Sequence, residues 1–239
     1  MSTYLEICQD VARESGTAGT GTVPTAVTGQ AGQLLKIVNW VSRAWKNVQN
    51  SEKSWRFLEA EFSGPTVASQ RFYTAAEMGI STRFGSWVSG DDEMHNPVTY
   101  YETAVGESGE GRLYWYPWRE FRSIRMIGED VVNTPSIYTI AADNRIGFDA
   151  VPDKVYTIKG LYRKSPQILT ADGDIPECPE RFHDVIMYRA LMYLAADEEA
   201  PIQYNAWREE YMGIYGRLKR DQRPPMRLGA AMGNNATNP

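Results

Sequence analysis

The segment IPECPERFHDVIMYRALMYLAADEEA, residues 175–200, holds one of two cysteines, Cys178, and one of two histidines, His183, five positions apart. A thiol and an imidazole that close could share a zinc ion or act as nucleophile and base. Zinc would need two more ligands, which usually arrive as a second Cys/His pair at short spacing. Cys8 and His95 instead stand alone in their own segments. A reactive thiol needs a lowered pKa, and the neighbouring Glu177 carboxylate would raise that of Cys178. The pattern favours a histidine in a first helical turn, bonded to a nearby carbonyl or carboxylate. No catalytic residue, metal ligand or cofactor is assigned.

Other stretches offer chemistry with less support. GTAGTGTVPTAVTG (16–29) has three glycines in six residues, but no Lys-Ser/Thr pair follows and no strand precedes. It reads as a mobile connection that buries little, not a phosphate cradle. SGDDEMHN (89–96) lacks the alternating ligand spacing of a calcium loop and reads as solvated. The run RLYWYPWREF (112–121) suggests a carbohydrate platform. Strand alternation puts Tyr114 and Tyr116 on one face and Trp115 on the other, so at least one face belongs to a core. With 30 acidic residues, a glycosidase carboxylate pair cannot be chosen by spacing alone.

Composition narrows the classes further. The 239 residues suffice for one main core and a satellite. A net charge of −5 argues against general nucleic-acid binding, which requires a basic surface. Seven Trp and fourteen Tyr favour large packed contacts, internal or between subunits. Two isolated cysteines suit a reducing compartment. The start MSTYLEICQD shows no signal peptide, and no stretch approaches the roughly 20 apolar residues of a membrane span. Synthesis in a cytoplasm is expected.

The elements that would position these residues run helix, strand, helix. Thr3 and Glu6 have capping-box spacing before Leu5, Cys8, Val11 and Ala12, in a helix ending near Gly16. From Gln30 to about Asn50, a single apolar stripe joins Leu34, Ile37, Val38, Val41, Ala44, Trp45 and Val48. LEAEFS (58–63) alternates as a strand until Gly64-Pro65 breaks it. VTYYETAV (98–105) and GRLYWY (111–116) flank a hairpin loop. PWREFRSIRMIG (117–128) predicts a short helix with Pro117 leading it. SIYTI, RIGFDA and VYTIKGLYRK, between 136 and 164, predict a three-stranded antiparallel meander. A helix over about 180–196 is apolar on more than one face and so belongs at the centre of a bundle. Pro201 opens the last helix. The expected fold class is α+β: helices at residues 1–57 and 167–221 form a bundle, 58–166 is an antiparallel β-rich insertion, and 222–239 is a flexible tail or docking arm.

One feature exceeds a generic domain. Between 217 and 227 the cations Arg217, Lys219, Arg220, Arg223 and Arg227 face the single Asp221. Helix-dipole complementation and a solvated terminus account for the first three. The alternative is an arm that orders against an acidic partner, burying Met226 and Leu228.

This organisation resembles the head–tail adaptor (connector) proteins of tailed bacteriophages. The resemblance rests on QLLKIVNWVSRAWKNVQNSEKSWRFLEAEF (33–62), NTPSIYTIAADNRIGFDAVPDKVYTIKG (133–160) and IPECPERFHDVIMYRALMYLAADEEA with the helix after it. What it implies is a non-enzymatic virion protein of the neck, synthesised in the bacterial host. Such proteins form a ring, typically of twelve copies, below the portal protein. The ring extends the DNA channel and seats the next collar or tail protein. Genomic DNA would pass without specific binding. In that family the C-terminal segment reaches the portal, which would assign docking to Arg217, Lys219, Arg220, Arg223, Met226 and Arg227. The competing classes are a β-rich carbohydrate-binding module and a phage-associated hydrolase.

Overall fold

The computed structural model describes residues 2–16, 23–90 and 97–223. Among them are five α-helices: α1 (Tyr4–Glu14), α2 (Gly32–Asn50), α3 (Trp118–Arg125), α4 (Asp184–Asp197) and α5 (Pro201–Gln222). The strands are β1 (Glu59–Pro65), β2 (Phe72–Tyr73), β3 (Phe84–Trp87), β4 (Thr99–Glu102), β5 (Gly111–Arg112), β6 (Tyr114–Trp115), β7 (Val132–Asn133), β8 (Ile137–Ile140), β9 (Ile146–Phe148), β10 (Val151–Pro152) and β11 (Tyr156–Lys164). The fold class is α+β. Among the described residues no helix is long and apolar enough to cross a membrane.

The helices form where the sequence supplies both a start signal and a stripe. At α1 the Glu6 amide donates to Thr3 Oγ1 (3.2 Å) and the Thr3 amide donates to Glu6 Oε2 (2.7 Å), a complete capping box. Such a cap contributes about 0.5–2 kcal/mol. The next two amides, of Tyr4 and Leu5, donate to the carbonyls of Asp174 and Asp172, so the first turn is also tied to a distant segment. Helix α2 buries Ile37, Val38, Val41, Ala44, Trp45 and Val48. Helix α4 touches α1, α2 and α5 and buries residues on several sides, the central position its pattern predicts. It begins with a 3-10 turn at Glu180–Phe182, and the α-helix proper starts at Asp184. These four helices share one core with Trp55, Leu58, Leu169 and Cys178.

The β region has its own core around Phe62, Tyr73, Trp87, Leu113, Tyr138, Phe148 and Ile158. One sheet has the order β1-β11-β4-β5, with β3 also pairing β11. A second has the order β2-β9-β8-β6, and β10 pairs β7 apart from both. Strand β11 is the spine of the first sheet. Its antiparallel register matches Phe62 to Gly160 and Gly64 to Ile158 on β1, and Thr157 to Tyr101 on β4.

Four local expectations need correction. The meander does not form: β8 and β9 pair antiparallel, but β11 joins the other sheet. Asp153 and Lys154 turn the chain, yet turn residues do not choose the partner strand, and β11 aligns its inward Ile158 and Gly160 with β1. Gly64-Pro65 does not end β1, which continues to Pro65 opposite Thr157. A proline without an amide donor is tolerated there because β1 lies at the sheet edge. The run 111–116 divides at the fully buried Leu113: β5 pairs β4, while β6 pairs β8 in parallel. The stretch after Gly16 is also not without burial, since Val27 enters the helical core and its amide donates to Asp172 Oδ1 (2.6 Å).

Where β11 gives way to the second half of the bundle, polar groups lace the chain. The Gln167 amide donates to Gln49 Oε1 (2.7 Å), and Gln49 Nε2 donates back to the Gln167 carbonyl (3.0 Å). Gln167 Oε1 accepts from the Trp45 indole (3.0 Å) and the Glu177 amide (3.1 Å). Glu177 in turn accepts from Arg83 Nη1 (2.6 Å) and pairs with Lys164 Nζ (3.0 Å), joining the β region to the entrance of α4. Burial would raise the Glu177 carboxyl, but hydrogen bonds from Arg83 and Lys164 outweigh it and hold the group below the ordinary glutamate range.

A carboxyl held low in the folded chain adds stability that is complete above the unfolded glutamate pKa of about 4.3 and fades as pH falls through the folded value. Glu177→Gln should therefore cost about 1–2 kcal/mol at neutral pH, with partial exposure keeping it near the low end for charged hydrogen bonds. The deficit should shrink below about pH 4 in urea unfolding. A second variant tests the sheet. A Cβ on Gly64 would lie 2.5 Å from the Met78 Cα, backbone that cannot yield easily. Gly64→Ala should lose about 1–3 kcal/mol in the same assay.

Candidate docking site

Cys178 and His183 are brought together, but as structure. His183 is 2% exposed, and its Nε2 lies 3.1 Å from the Cys178 carbonyl oxygen. A carbonyl only accepts, so that nitrogen carries the proton. Burial pushes the Cys178 thiol up to about 12, and burial with the Asp172 charge does the same to Cys8. Neither is a thiolate near neutrality, and a thiol is a poor nucleophile. Among the described residues no group of three or more His, Cys, Asp and Glu could hold a metal ion. His95 and most of the acidic loop lie outside those residues.

The aromatic run is largely absorbed by packing. Trp118 meets Phe72 edge to face and stacks on Phe121, which is fully buried. Tyr114 stands 52% exposed on the outer side of its short strand.

The cationic end of α5 is built differently. Tyr211, Ile214, Leu218 and Gln222 are its buried side, anchored against α4 and the 180–182 turn. Three and four residues apart, they leave Arg217 and Arg220 outside. These two arginines border a surface depression with Arg181, Phe182 and Asp221. Asp221 is occupied by Arg181, whose guanidinium also lies 4.9 Å from the Phe182 ring centre. Neither the Arg217 nor the Arg220 side chain makes an ion pair or hydrogen bond among the described residues.

Lys219 and Arg223 turn inward instead. Both reach Glu52, just beyond the end of α2, with Arg223 Nη2 at 3.0 Å. Hydrogen bonds from Lys219 and then Arg223 hold the Glu52 carboxyl below its usual range. Tyr215 strengthens the same join through a 2.9 Å hydroxyl contact with Ser51, and Lys219 Nζ sits 5.3 Å from the Tyr215 ring centre. The six residues assigned from sequence thus divide. Arg217 and Arg220 face outward, Lys219 and Arg223 clamp the helix, and Met226 and Arg227 lie outside the described residues. Glu52 and Arg181 were missed. No local pattern announces them, because their partners lie 167 or more and 40 positions away.

Glu52→Gln should cost about 1 kcal/mol of overall stability, near the upper end for a solvent-accessible ion pair, because the Glu52 side chain is partly buried. It should also speed amide hydrogen exchange in the last two turns of α5. Unchanged exchange there would show that Glu52 does not clamp the helix.

The model of the SU10 adaptor protein family matches residues 2–232. No curated protein gives a match. The chain therefore belongs to the SU10 adaptor protein family, and is a structural adaptor protein of a bacteriophage virion.

Proposed function

We propose that this chain is a head–tail adaptor of the virion neck. Twelve copies close into a ring below the portal protein, extend the DNA channel, and offer a seat to the next collar or tail protein. The observation that carries the reading is the end of α5, where outward Arg217 and Arg220 sit on a helix fixed at its base by Glu52, Lys219 and Arg223. A fixed helix presenting uncompensated cations suits an acidic surface on a partner, since little side-chain and backbone order remains to be lost on docking. By the same reading Met226 and Arg227 take part in the portal contact.

The remaining properties are compatible with a conduit that does no chemistry. The buried thiols are protonated, and the buried histidine is bonded to a carbonyl. A net charge of −5 disfavours tight, sequence-independent attachment to DNA, so the genome would pass without specific binding. Synthesis would take place in the bacterial host cytoplasm, before assembly.

Binding to purified portal rings tests the docking assignment. Arg217→Glu/Arg220→Glu and a chain ending at residue 221 should each bind at least about tenfold more weakly than the full chain, a loss of about 1.4 kcal/mol. Circular dichroism should show the helices of the double variant intact. Undiminished binding by both variants would remove the C-terminal segment from the portal contact.

A further inference from the structure

Between Glu14 and Glu52 the sequence has no Asp or Glu, although the chain holds 30 of them in 239 residues. Helix α2 fills the second half of that gap. Its buried side is Ile37, Val38, Val41, Ala44, Trp45 and Val48, so its outer line carries Lys36, Arg43, Lys46, Asn47 and Asn50, all exposed. Helix α4 runs antiparallel beside it. Lys36 Nζ meets Asp197 Oδ2 (2.6 Å), Arg43 lies over the Tyr193 ring, and Arg189 Nε donates to Asn47 Oδ1 (3.1 Å). Helix α5 continues the same face. Arg208, Met212, Tyr215 and Lys219 recur at steps of four and three, and the last two reach Ser51 and Glu52.

The cations of this face are fixed without being neutralised. Among the described residues the side chains of Arg43, Lys46, Arg189 and Arg208 form no ion pair. The guanidiniums of Arg43 and Arg189 lie 4.7 and 4.9 Å from the Tyr193 ring centre, and Arg189 lies 5.6 Å from that of Tyr211. Stacking on a ring holds a guanidinium in place yet leaves its charge uncompensated. The carboxylates at the border are engaged already: Glu52 by Lys219 and Arg223, Asp197 by Lys36, and Glu198 by Gln33. Glu209 follows Arg208 but belongs to the line of α5 opposite Tyr211 and Leu218. The overall charge of −5 conceals a positive face.

We propose that this α2–α4–α5 face rests against the phosphate backbone of double-stranded DNA and is the side of the chain turned to the channel. The orientation rests on the ring reading above, whereas the DNA contact does not require it. Duplex DNA carries one negative charge per about 1.7 Å of axis. The 19 residues of α2 make a rod about 28 Å long, enough to lie along about eight base pairs. Asn39, Asn47 and Asn50 add amide donors of the kind that accompany Arg and Lys at phosphates. A protein partner is disfavoured because interface centres are poor in charge and rich in apolar anchors. This face offers mainly cations and amides around Met212, which is 53% exposed. The contact is also weak by construction. Four phosphates at a slope of about −0.9 each lose about 100-fold in affinity between about 50 and 200 mM salt. A genome can therefore be centred without being held.

Fluorescence anisotropy of a short labelled duplex, titrated with the isolated chain at several salt concentrations, tests the contact. The wild type should bind with a log–log salt slope of about −3 to −4, the same for two unrelated sequences. Arg43→Gln/Lys46→Gln should reduce that slope by about two and weaken binding at least about tenfold near 50 mM salt, and Arg208→Gln should reduce the slope by about one. Far-UV circular dichroism should show the helices of both variants intact. Arg119→Gln/Arg122→Gln removes the same charge from exposed positions of α3 and should leave the slope unchanged. No duplex binding by the wild type, slopes unaltered in the α2 and α5 variants, or an equal loss from the α3 pair would overturn the proposal. Loss of portal binding or of ring formation by Arg43→Gln/Lys46→Gln with DNA binding unchanged would overturn it too, and assign the face to protein. A wild-type chain that binds duplex but forms no ring on portal would overturn the ring reading and the channel orientation, while the DNA contact stands.

Discussion

Gln49 and Gln167 bond each other in both directions, side-chain amide to backbone, at 2.7 and 3.0 Å, with Gln49 only 2% exposed. Between these residues the chain leaves the helical bundle, builds both sheets, and returns. The return must place residues 165–179 against α1 and α2 with their backbone polar groups satisfied, because a buried donor or acceptor left unmade costs about 1–3 kcal/mol. Gln167 meets that demand through Trp45, Gln49, Glu177 and Ile175 together. Asp172 and Asp174 continue it by capping the amides of α1 and Val27. Only with this segment seated can α4 enter the centre of the bundle and α5 lie along it.

The consequence for function is mechanical. Two hydrophobic cores are joined by a polar seam that includes the Arg83–Glu177–Lys164 cluster, so the β region and the helices act on partners through a defined relation. Helix α5 then carries two roles. Its inner side holds the bundle, and its basic end is the surface proposed for the portal. A single helix with such divided roles suits an adaptor, whose task is to hold unlike partners in one register.

Much of the bundle was legible in the sequence because helical start signals and apolar stripes are local. Thr3 and Glu6 form the capping box their spacing implies, and α4 is central because its apolar residues surround it. The pairing of strands was not legible. Turns at Asp143-Asn144 and Pro152-Asp153 show where the chain bends, but the choice of β1 over β9 as neighbour to β11 depends on residues about a hundred positions away. The cationic end of α5 was half legible. The cation run was visible, but the division between outward Arg217 and Arg220 and inward Lys219 and Arg223 follows from Glu52, which no spacing rule connects to α5. The Cys178–His183 pair was legible for the same local reason: the pattern favoured a histidine in a first helical turn bonded to a nearby carbonyl or carboxylate, and burial and the Cys178 carbonyl make it part of the helix entrance.

The central claim is that this protein works as a closed ring with the end of α5 turned toward the portal. Electron cryo-microscopy of the chain mixed with purified portal rings tests it most directly. The account predicts a coaxial ring of about a dozen copies, head to tail, with Arg217 and Arg220 at the portal side. A chain that remains monomeric beside portal, or a ring with the end of α5 pointing away from it, would contradict the account.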